Sequence, residues 1–165
     1  MKIIEKNECT GCMACYQSCS VKAITMQAVS KGFLYPIIDE EKCINCGLCQ
    51  KVCPQLKEMD AIEKETCYAV WNTNEEERAL STSGGFFSVI ARYVLEKSGV
   101  VYGAAYNENL EVVHARADKI EDMEKFRGSK YVQSYIGEQF KACKKDLDAG
   151  KLVLFSGTPC QIGGG

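Results

Sequence analysis

The chain has 165 residues, of which 46% are hydrophobic, and its formal net charge is −2. Such a chain suffices for about one domain or two small ones with an ordinary apolar core. The small negative charge argues against nucleic acid as a partner and against a polybasic membrane patch. No apolar run approaches the length of a membrane span, and the N-terminal residues are too acidic for a signal peptide.

Two cysteine runs organise residues 1–57. They read Cys9-x-x-Cys12-x-x-Cys15-x-x-x-Cys19 and Cys43-x-x-Cys46-x-x-Cys49-x-x-x-Cys53-Pro54. This is the spacing of bacterial ferredoxins, in which three close thiolates hold one 4Fe-4S cluster and the fourth reaches across to the other. The runs repeat at an offset of 34 residues, which indicates an internal duplication. The sequence therefore predicts one cluster on Cys9, Cys12, Cys15 and Cys53, and a second on Cys43, Cys46, Cys49 and Cys19.

Zinc is the alternative metal, since short Cys-x-x-Cys pairs also bind it. Zinc sites use two pairs of ligands, whereas these runs are triplets with a distant fourth cysteine, so two clusters are favoured. Ser20 follows Cys19 where the ferredoxin pattern has proline, which changes only the local turn. Gly11 and Gly47 are expected at equivalent places, where glycine lets backbone amides approach the cluster sulfurs.

A module this small buries little apolar surface, so iron–thiolate bonds are expected to supply much of its folding free energy. Within it we predict strands at residues 2–6, 23–29 and 33–38, with a turn at 30–32. Eleven cysteines without a secretion signal predict a reducing cytoplasm. The sensitivity of exposed clusters to oxidation indicates, in addition, an anaerobic setting.

The rest of the chain alternates between strand and helix patterns, after a charged linker at 58–66. In chain order we predict strand 67–73, helix 75–80, a small-residue loop at 81–85, helix 86–97, strands 100–106 and 111–117, an exposed helix 118–126, a loop at 127–134, helix 137–149 and strand 151–155. The fold class is therefore α+β: a ferredoxin-like module with two 4Fe-4S clusters at 1–57, followed by a partial α/β domain at 67–165. Because the chain ends soon after a strand and its loop, we expect a piece of a longer protein.

Three stretches outside the cysteine runs are recognisable together. They are Ser81-Thr82-Ser83-Gly84-Gly85-Phe86, Gly128-Ser129-Lys130-Tyr131-Val132-Gln133-Ser134 and Ser156-Gly157-Thr158-Pro159-Cys160-Gln161-Ile162. Behind a two-cluster module, this set resembles the family of coenzyme F-420 hydrogenase/dehydrogenase beta subunits. The resemblance implies an iron–sulfur flavoprotein in which FAD exchanges electrons between clusters and a hydride carrier or organic substrate. It also implies a C-terminal half, so the full-length protein is expected to retain FAD and residues 1–165 to bind it weakly or not at all.

The loop Ser83-Gly84-Gly85 is the first candidate for flavin binding. It precedes a predicted helix, whose free amides and dipole favour a pyrophosphate. On this view Gly84→Asp is expected to weaken FAD binding and to spare the clusters. The alternative is an ordinary helix start with Ser83 as N-cap. Lys130 and Arg127 are candidates for contact with flavin or substrate, or else solvated surface charges.

Gly157 and Cys160 follow the last predicted strand, where α/β sheets usually bind ligands. Cys160 is a candidate for a further cluster ligand or a reactive thiol, and the alternative is a small buried apolar residue. Cys67 and Cys143 are expected to be packing residues. His114, the only histidine, is expected to be structural.

Two functions are open at this point. The first is a flavin-dependent oxidoreductase whose clusters pass single electrons to or from FAD, with a redox partner protein or ferredoxin and a deazaflavin or other small organic substrate. The second is a non-catalytic dicluster electron carrier fused to a docking domain. Tight FAD in the full-length protein discriminates between them. The sequence specifies no catalytic residue, and it leaves open whether residues 1–165 alone are an enzyme.

Overall fold

The computed structural model describes residues 3–29, 32–57 and 66–165. In chain order the elements are α1 (Ala14–Ser18), β1 (Ile24–Ala28), β2 (Leu34–Ile38), α2 (Leu48–Lys51), a 3-10 turn (Pro54–Leu56), α3 (Glu75–Ala79), α4 (Phe86–Glu96), β3 (Val100–Tyr106), β4 (Val112–Ala117), a 3-10 helix (Ile120–Phe126), α5 (Gln139–Asp148), β5 (Val153–Phe155) and α6 (Pro159–Gly164). Helices and strands are thus mixed, as the α+β class predicts. None of the described helices combines the length and the apolar character that a membrane crossing requires.

The chain divides into two compact units, Met1–Asp60 with Gly157–Gly165, and Ala61–Ser156. Residues 157–165 therefore lie with the first unit, which differs from the predicted boundary that placed them in the second domain. The reason is local packing: α6 contacts both α1 and the 3-10 turn at Pro54–Leu56.

The first unit contains one hairpin, in which β1 and β2 pair antiparallel with Ile24 opposite Ile38. This confirms the two strands predicted at 23–29 and 33–38; of their connecting turn, residues 30–31 lie outside the described residues. The strand predicted at 2–6 is wrong for its described part. There the backbone turns, because the Glu5 carbonyl accepts hydrogen bonds from the amides of Glu8 and Cys9, both at 3.1 Å.

The apolar core of the first unit is small and includes cysteines. Its buried members are Ile3, Ile4, Cys15, Ile24 and Cys53. The hydroxyl of Tyr35 donates to the Ile4 carbonyl at 2.6 Å and ties the hairpin to the N-terminal turn. With so few aliphatic side chains, hydrophobic burial alone provides limited stabilisation.

The second unit is a three-stranded sheet with helices packed against it. The strand order is β4-β3-β5, with β3 antiparallel to β4 and parallel to β5. This confirms the predicted strands at 100–106, 111–117 and 151–155, with small shifts of their ends. Buried residues of α4, the two longer strands and the 3-10 helix form its core: Ala91, Val94, Leu95, Val101, Ala105, Ala117, Met123 and Phe126.

Two sequence predictions for this unit are wrong. The strand predicted at 67–73 forms no ladder, and Tyr68 and Trp71 on it are exposed. Aromatic and β-branched residues there satisfied the strand pattern, although no neighbouring strand pairs with them in the described structure. The exposed helix predicted at 118–126 is a 3-10 helix whose Met123 and Phe126 are buried in the core.

Asp146 on α5 is the main polar anchor of the second unit. Its carboxylate accepts hydrogen bonds from Arg116 Nε at 2.7 Å, Lys151 Nζ at 2.8 Å and the Tyr102 hydroxyl at 2.6 Å. These partners come from β4, from the segment before β5 and from β3. Arg116 and then Lys151 and Tyr102 hold the pKa of Asp146 well below its usual range, against the opposing effect of burial.

We predict that Asp146→Asn destabilises the second unit by about 2 kcal/mol at pH 7, because buried charge-assisted bonds are lost. A depressed carboxyl pKa stabilises the fold above the unfolded value of about 4. The destabilisation relative to wild type should therefore shrink as the pH falls below about 4. Amide hydrogen exchange of β3 measures the effect. The matched control is Asp148→Asn, which removes only a surface ion pair with Lys144 and should change the exchange free energy by less than about 0.5 kcal/mol.

Candidate iron–sulfur centre and anion-binding cavity

Both cysteine runs adopt the same local backbone. Gly11 and Asn45 have φ of 64° and 54°, and Met13 and Gly47 have φ of 67° and 73°. Each pair is separated by the offset of 34 residues that relates the two runs. The duplication therefore extends from the cysteine spacing to two left-handed turns, which curl each run so that its cysteines can converge.

This correspondence corrects one expectation. Gly11 and Gly47 are not equivalent, because Gly11 matches Asn45 and Gly47 matches Met13. Asparagine tolerates the left-handed region, but methionine does so at a cost. Met13 is only 1% exposed, so packing of its side chain in the first unit holds it in this conformation.

The four cysteines assigned to the first cluster line one cavity of the first unit: Cys9, Cys12, Cys15 and Cys53. Cys15 lies in α1, and Cys53 follows the end of α2. Because α1 and α2 contact each other, the last cysteine of the second run comes beside the first three of the other run. The four cysteines of the predicted crossed ligand set thus line the same cavity. That these cysteines bind iron stays a prediction.

Burial governs the acidity of these thiols. It raises the pKa of Cys9 and Cys12, and it raises the pKa of Cys15 to about 12. The neighbouring cysteines contribute to this rise in the pKa of Cys15 after burial, Cys12 and Cys9 more than Cys53. Since metals bind the thiolate, cluster insertion at this site must release protons, and the positive irons must offset several negative charges held close together.

Backbone amides already point at two of the sulfurs. The Gly11 amide donates to Cys9 Sγ at 3.4 Å, and the Ala23 amide donates to Cys19 Sγ at 3.2 Å. Hydrogen bonds of this kind stabilise thiolates and raise the reduction potential of clusters that they ligate. One such bond serves a cysteine of each predicted ligand set, so the surroundings fit sulfur ligands.

The second predicted set is gathered less tightly. Cys43 and Cys46 lie close enough to Cys49 to raise its pKa, after the larger effect of burial. Cys19 ends α1 and packs, together with Cys49 of α2, against the apolar core of the first unit. Within the described residues, no group of three or more His, Cys, Asp or Glu side chains is arranged around a single metal ion.

Cys160 and Gly157 belong to the first unit, whereas the sheet that the sequence pattern associated with them belongs to the second unit. Cys160 stands at the start of α6, and this helix packs against α1. Sequence reasoning identified Cys160 as a candidate through a strand end rather than through this helix packing.

The second unit contains a separate cavity of about 280 Å³. Its lining comprises six hydroxyl side chains (Ser81, Thr82, Ser83, Ser88, Ser129, Ser156), two cations (Arg127, Lys130), three phenylalanines (Phe86, Phe87, Phe126), three glycines (Gly85, Gly103, Gly128) and Ala104. Acidic residues do not occur among these lining residues. The cavity includes the first residues of α4, whose amides have no partner within the helix. Hydroxyls, cations and free amides together favour an anion.

Four predicted flavin residues meet here: Ser83, Gly85, Lys130 and Arg127. Lys130 Nζ donates to the carbonyls of Arg127 and Lys125, at 2.8 and 3.1 Å. Burial lowers the pKa of Lys130. The guanidinium of Arg127 binds Glu124 and the Glu77 carbonyl. Both cations are therefore held in place by the protein, rather than being solvated surface charges.

Gly84 does not line the cavity. A Cβ at this position would come within 2.8 Å of the Val70 carbonyl oxygen, and the Gly84 carbonyl accepts from the Asn72 amide at 2.6 Å. Gly84→Asp would disturb this contact, so it is not a clean test of flavin binding. The alternative N-cap role of Ser83 is also wrong: Gly85 is the N-cap of α4, with φ of 70°.

The remaining candidates, His114, Cys143 and Cys67, do not line either cavity. His114 is buried, and its Nε2 lies 2.9 Å from the Ser156 carbonyl while Ser134 Oγ lies 2.9 Å from its Nδ1. Because a carbonyl only accepts, Nε2 carries the proton and the Ser134 hydroxyl donates. Burial lowers the pKa of His114, which keeps the ring neutral. Cys143 is half-buried on α5, whereas Cys67 is exposed rather than packed.

Several cavity residues escaped the sequence analysis as ligand candidates. Thr82 and Ser129 form a hydrogen bond of 3.3 Å between their hydroxyls, although they stand far apart in sequence. Both belong to the recognised stretches, which was the available signal. Ser88 and Phe126 gave no signal beyond helical patterning, because their place in the cavity depends on how α4 and the 3-10 helix pack on the sheet.

Comparison with known proteins supports the iron–sulfur assignment. Residues 8–56 match a family model described as 4Fe-4S dicluster domain, and residues 35–113 match a second model of the same description. Over 97% of its own length, this chain is 24% identical to a subunit of the F(420)H(2) dehydrogenase of Methanosarcina mazei. Over 54 residues, which are 32% of this chain, it is 39% identical to the PorD subunit of the pyruvate synthase of Thermotoga maritima.

The chain spans about half the length of these curated relatives, 48% of the first and 50% of the second. Both are named as subunits. The N-terminal part of this chain is accordingly a ferredoxin-like, iron–sulfur electron-transfer domain of the 4Fe-4S dicluster description, related to these subunits.

The crossed ligand assignment predicts different outcomes for the fourth cysteine of each run. In a background carrying Cys43→Ala and Cys46→Ala, only the first cluster should remain, with about four irons per chain. Adding Cys53→Ala to this background should remove that cluster, whereas adding Cys19→Ala should leave it in place. Iron and acid-labile sulfide analysis after anaerobic reconstitution gives the answer. Loss of iron with Cys19→Ala but not with Cys53→Ala would show that each run holds its own cluster.

Proposed function

We propose that the protein relays single electrons through two 4Fe-4S clusters to or from FAD, as part of a flavin-dependent oxidoreductase of the coenzyme F-420 hydrogenase/dehydrogenase beta-subunit type. The clusters are ligated by Cys9, Cys12, Cys15 and Cys53, and by Cys43, Cys46, Cys49 and Cys19. The convergence of the first of these sets on one cavity is the observation that carries the proposal.

The cysteine residues define what the first unit contributes. Their thiolates hold the irons, and the amides of Gly11 and Ala23 direct hydrogen bonds to sulfur. Buried surroundings keep water from much of the first set, since Cys12, Cys15 and Cys53 are buried. A cluster supplies one-electron chemistry when it is bound, so this unit is suited to accepting and releasing single electrons.

The cavity of the second unit supports a flavin phosphate site. Its hydroxyls, the cations Arg127 and Lys130, and the start of α4 match the needs of a pyrophosphate. The three phenylalanines supply apolar surface for the rest of a ligand. At about 280 Å³, the cavity lies near the lower end of ligand pockets, about 300–1,000 Å³. It therefore encloses only part of FAD, and weak binding by residues 1–165 follows.

Flavin supplies the conversion between single electrons and hydride when it is bound. The residues of this chain would bind and orient it: Ser83 and Lys130 at the phosphates, with Arg127 held close by Glu124 and the Glu77 carbonyl. The similarity to a subunit of F(420)H(2) dehydrogenase is consistent with such a coupling. A redox partner protein, a small organic substrate such as a deazaflavin, and an anaerobic cytoplasm complete the proposal.

The second candidate is a non-catalytic dicluster electron carrier fused to a docking domain. It is favoured by the similarity to the PorD subunit of pyruvate synthase, which is confined to 54 aligned residues. A carrier needs no flavin. The two functions are therefore separated by whether the second unit binds FAD through the cavity described above.

We predict that Ser83→Asp weakens FAD binding by about tenfold or more, because a negative charge enters an anion site. Ser83 is exposed, so the substitution buries no charge. The matched control Ser83→Asn has nearly the same size without the charge and should bind nearly as wild type does. Quenching of flavin fluorescence during anaerobic titration of the full-length protein with FAD measures the affinity. Amide hydrogen exchange of β3 shows whether the second unit of each variant is folded.

Equal FAD affinity in Ser83→Asp and Ser83→Asn would remove this cavity as the phosphate site. A full-length protein that carries both clusters but retains no FAD would favour the electron carrier. Retention of FAD with a charge-sensitive Ser83 supports the oxidoreductase.

A further inference from the structure

Two residues of the anion-binding cavity share one hydrogen-bond acceptor outside it. The Ser81 hydroxyl donates to the Glu77 carbonyl at 3.1 Å, and Arg127 Nη1 donates to the same carbonyl at 3.2 Å. Ser81 and Arg127 line the cavity, whereas Glu77 is not among its lining residues. A carbonyl oxygen has two lone pairs and can accept both bonds. The position of this carbonyl therefore determines where one hydroxyl and one cation of the cavity lie.

The side chain of Glu77 ties the short helix α3 to the rest of the second unit. Its carboxylate forms an ion pair with Arg92 of α4 and accepts a hydrogen bond from Asn72 Nδ2 at 3.1 Å. The Arg92 guanidinium and then Asn72 hold the pKa of the Glu77 carboxyl below its usual value, against the opposing effect of burial. A helix of five residues is marginal by itself. These side-chain contacts therefore fix α3 and, with it, the Glu77 carbonyl.

Asn72 extends this arrangement to the other end of the cavity loop at 81–85. Asn72 is buried, and its backbone amide donates to the Gly84 carbonyl at 2.6 Å. A Cβ on Gly85 would lie 3.3 Å from the Asn72 Cβ, so the loop packs directly on this residue. The loop is thus held at its start by Glu77 and near its end by Asn72, and the Glu77 carboxylate joins the two contacts.

We propose that Glu77 is a positioning residue of the anion site, which acts through Arg127 and Ser81 on the phosphates of the flavin. The inference rests on the flavin site proposed above and assigns to it a residue outside the cavity. Because Arg92 neutralises its carboxylate, Glu77 can stand close to an anion site without repelling the ligand. Holding Arg127 in place before the ligand arrives reduces the entropy that binding must remove.

The first test is a double-mutant cycle in the full-length protein, with quenching of flavin fluorescence during anaerobic titration with FAD as the measurement. Glu77→Ala and Arg127→Ala should each weaken FAD binding by about tenfold. In the background of Arg127→Ala, Glu77→Ala should weaken binding by less than about threefold, because its main route to the ligand is already absent. The matched control is Glu76→Ala, which removes an exposed carboxylate from the same helix and should bind FAD as wild type does.

The second test approaches the ion pair from Arg92, whose side chain is 37% exposed and tolerates substitution more readily. Arg92→Gln removes the positive charge and should weaken FAD binding about threefold or more. Arg92→Lys keeps the charge and should restore most of the affinity. Amide hydrogen exchange of β3 shows whether the second unit of each variant is folded, so a loss of affinity with unchanged exchange is not a loss of the fold.

Unchanged FAD affinity in a folded Glu77→Ala variant would overturn the positioning role. An equal loss of affinity with and without Arg127 would also overturn it, since Glu77 would then act on the unit as a whole. If Glu77→Ala does not fold, equal affinity in Arg92→Gln and Arg92→Lys would contradict the proposal. Wild type that binds inorganic pyrophosphate in calorimetry but no FAD would overturn the flavin proposal alone, and the same variants then test Glu77 with pyrophosphate. Wild type that binds neither would overturn both.

Discussion

The first unit depends on cysteine thiols that converge on a small apolar core, because hydrophobic burial in that core provides only limited stabilisation. Among the described residues of its core, the buried Cys15 and Cys53 are themselves predicted ligands. Burial raises the pKa of Cys15 to about 12, so this thiol stays protonated until a metal takes the proton's place. Iron therefore supplies both the positive charge that thiolates need and the cross-links that aliphatic packing does not provide. Folding and cluster assembly are expected to be coupled for that reason.

The second unit is stabilised differently. Aliphatic packing of α4 on the sheet and the ion pairs centred on Asp146 stabilise it. This scaffold presents the start of α4, Arg127 and Lys130 to one cavity. Glycine contributes at one decisive place, since a Cβ on Gly103 would come 3.1 Å from the Phe126 ring that forms one wall. The two units thus have separate sources of stability.

Sequence reasoning predicted the features that depend on short-range patterns. The ferredoxin spacing assigned Cys53 to the same cluster as Cys9, Cys12 and Cys15. These four cysteines line one cavity, and their ligation of a cluster stays a prediction. Periodicity of apolar residues located α4 and the strands β3 and β4, because these elements follow from patterns among neighbouring residues. Prediction failed where long-range packing decides: the apolar segment at 67–73 finds no strand partner in the described structure, and Gly84 packs on the Val70 carbonyl instead of facing a ligand. The packing of α6, which carries Cys160, against α1 is likewise encoded by no local pattern.

The central claim is that the cysteines hold two 4Fe-4S clusters, and metal analysis tests it most directly. Protein purified under strict anaerobic conditions should contain about eight irons and about eight acid-labile sulfides per chain. Dithionite should bleach its visible absorption and generate the electron paramagnetic resonance of two reduced clusters. Two zinc ions per chain with no acid-labile sulfide would contradict the account, since the same cysteines would then be tetrahedral zinc sites without redox chemistry.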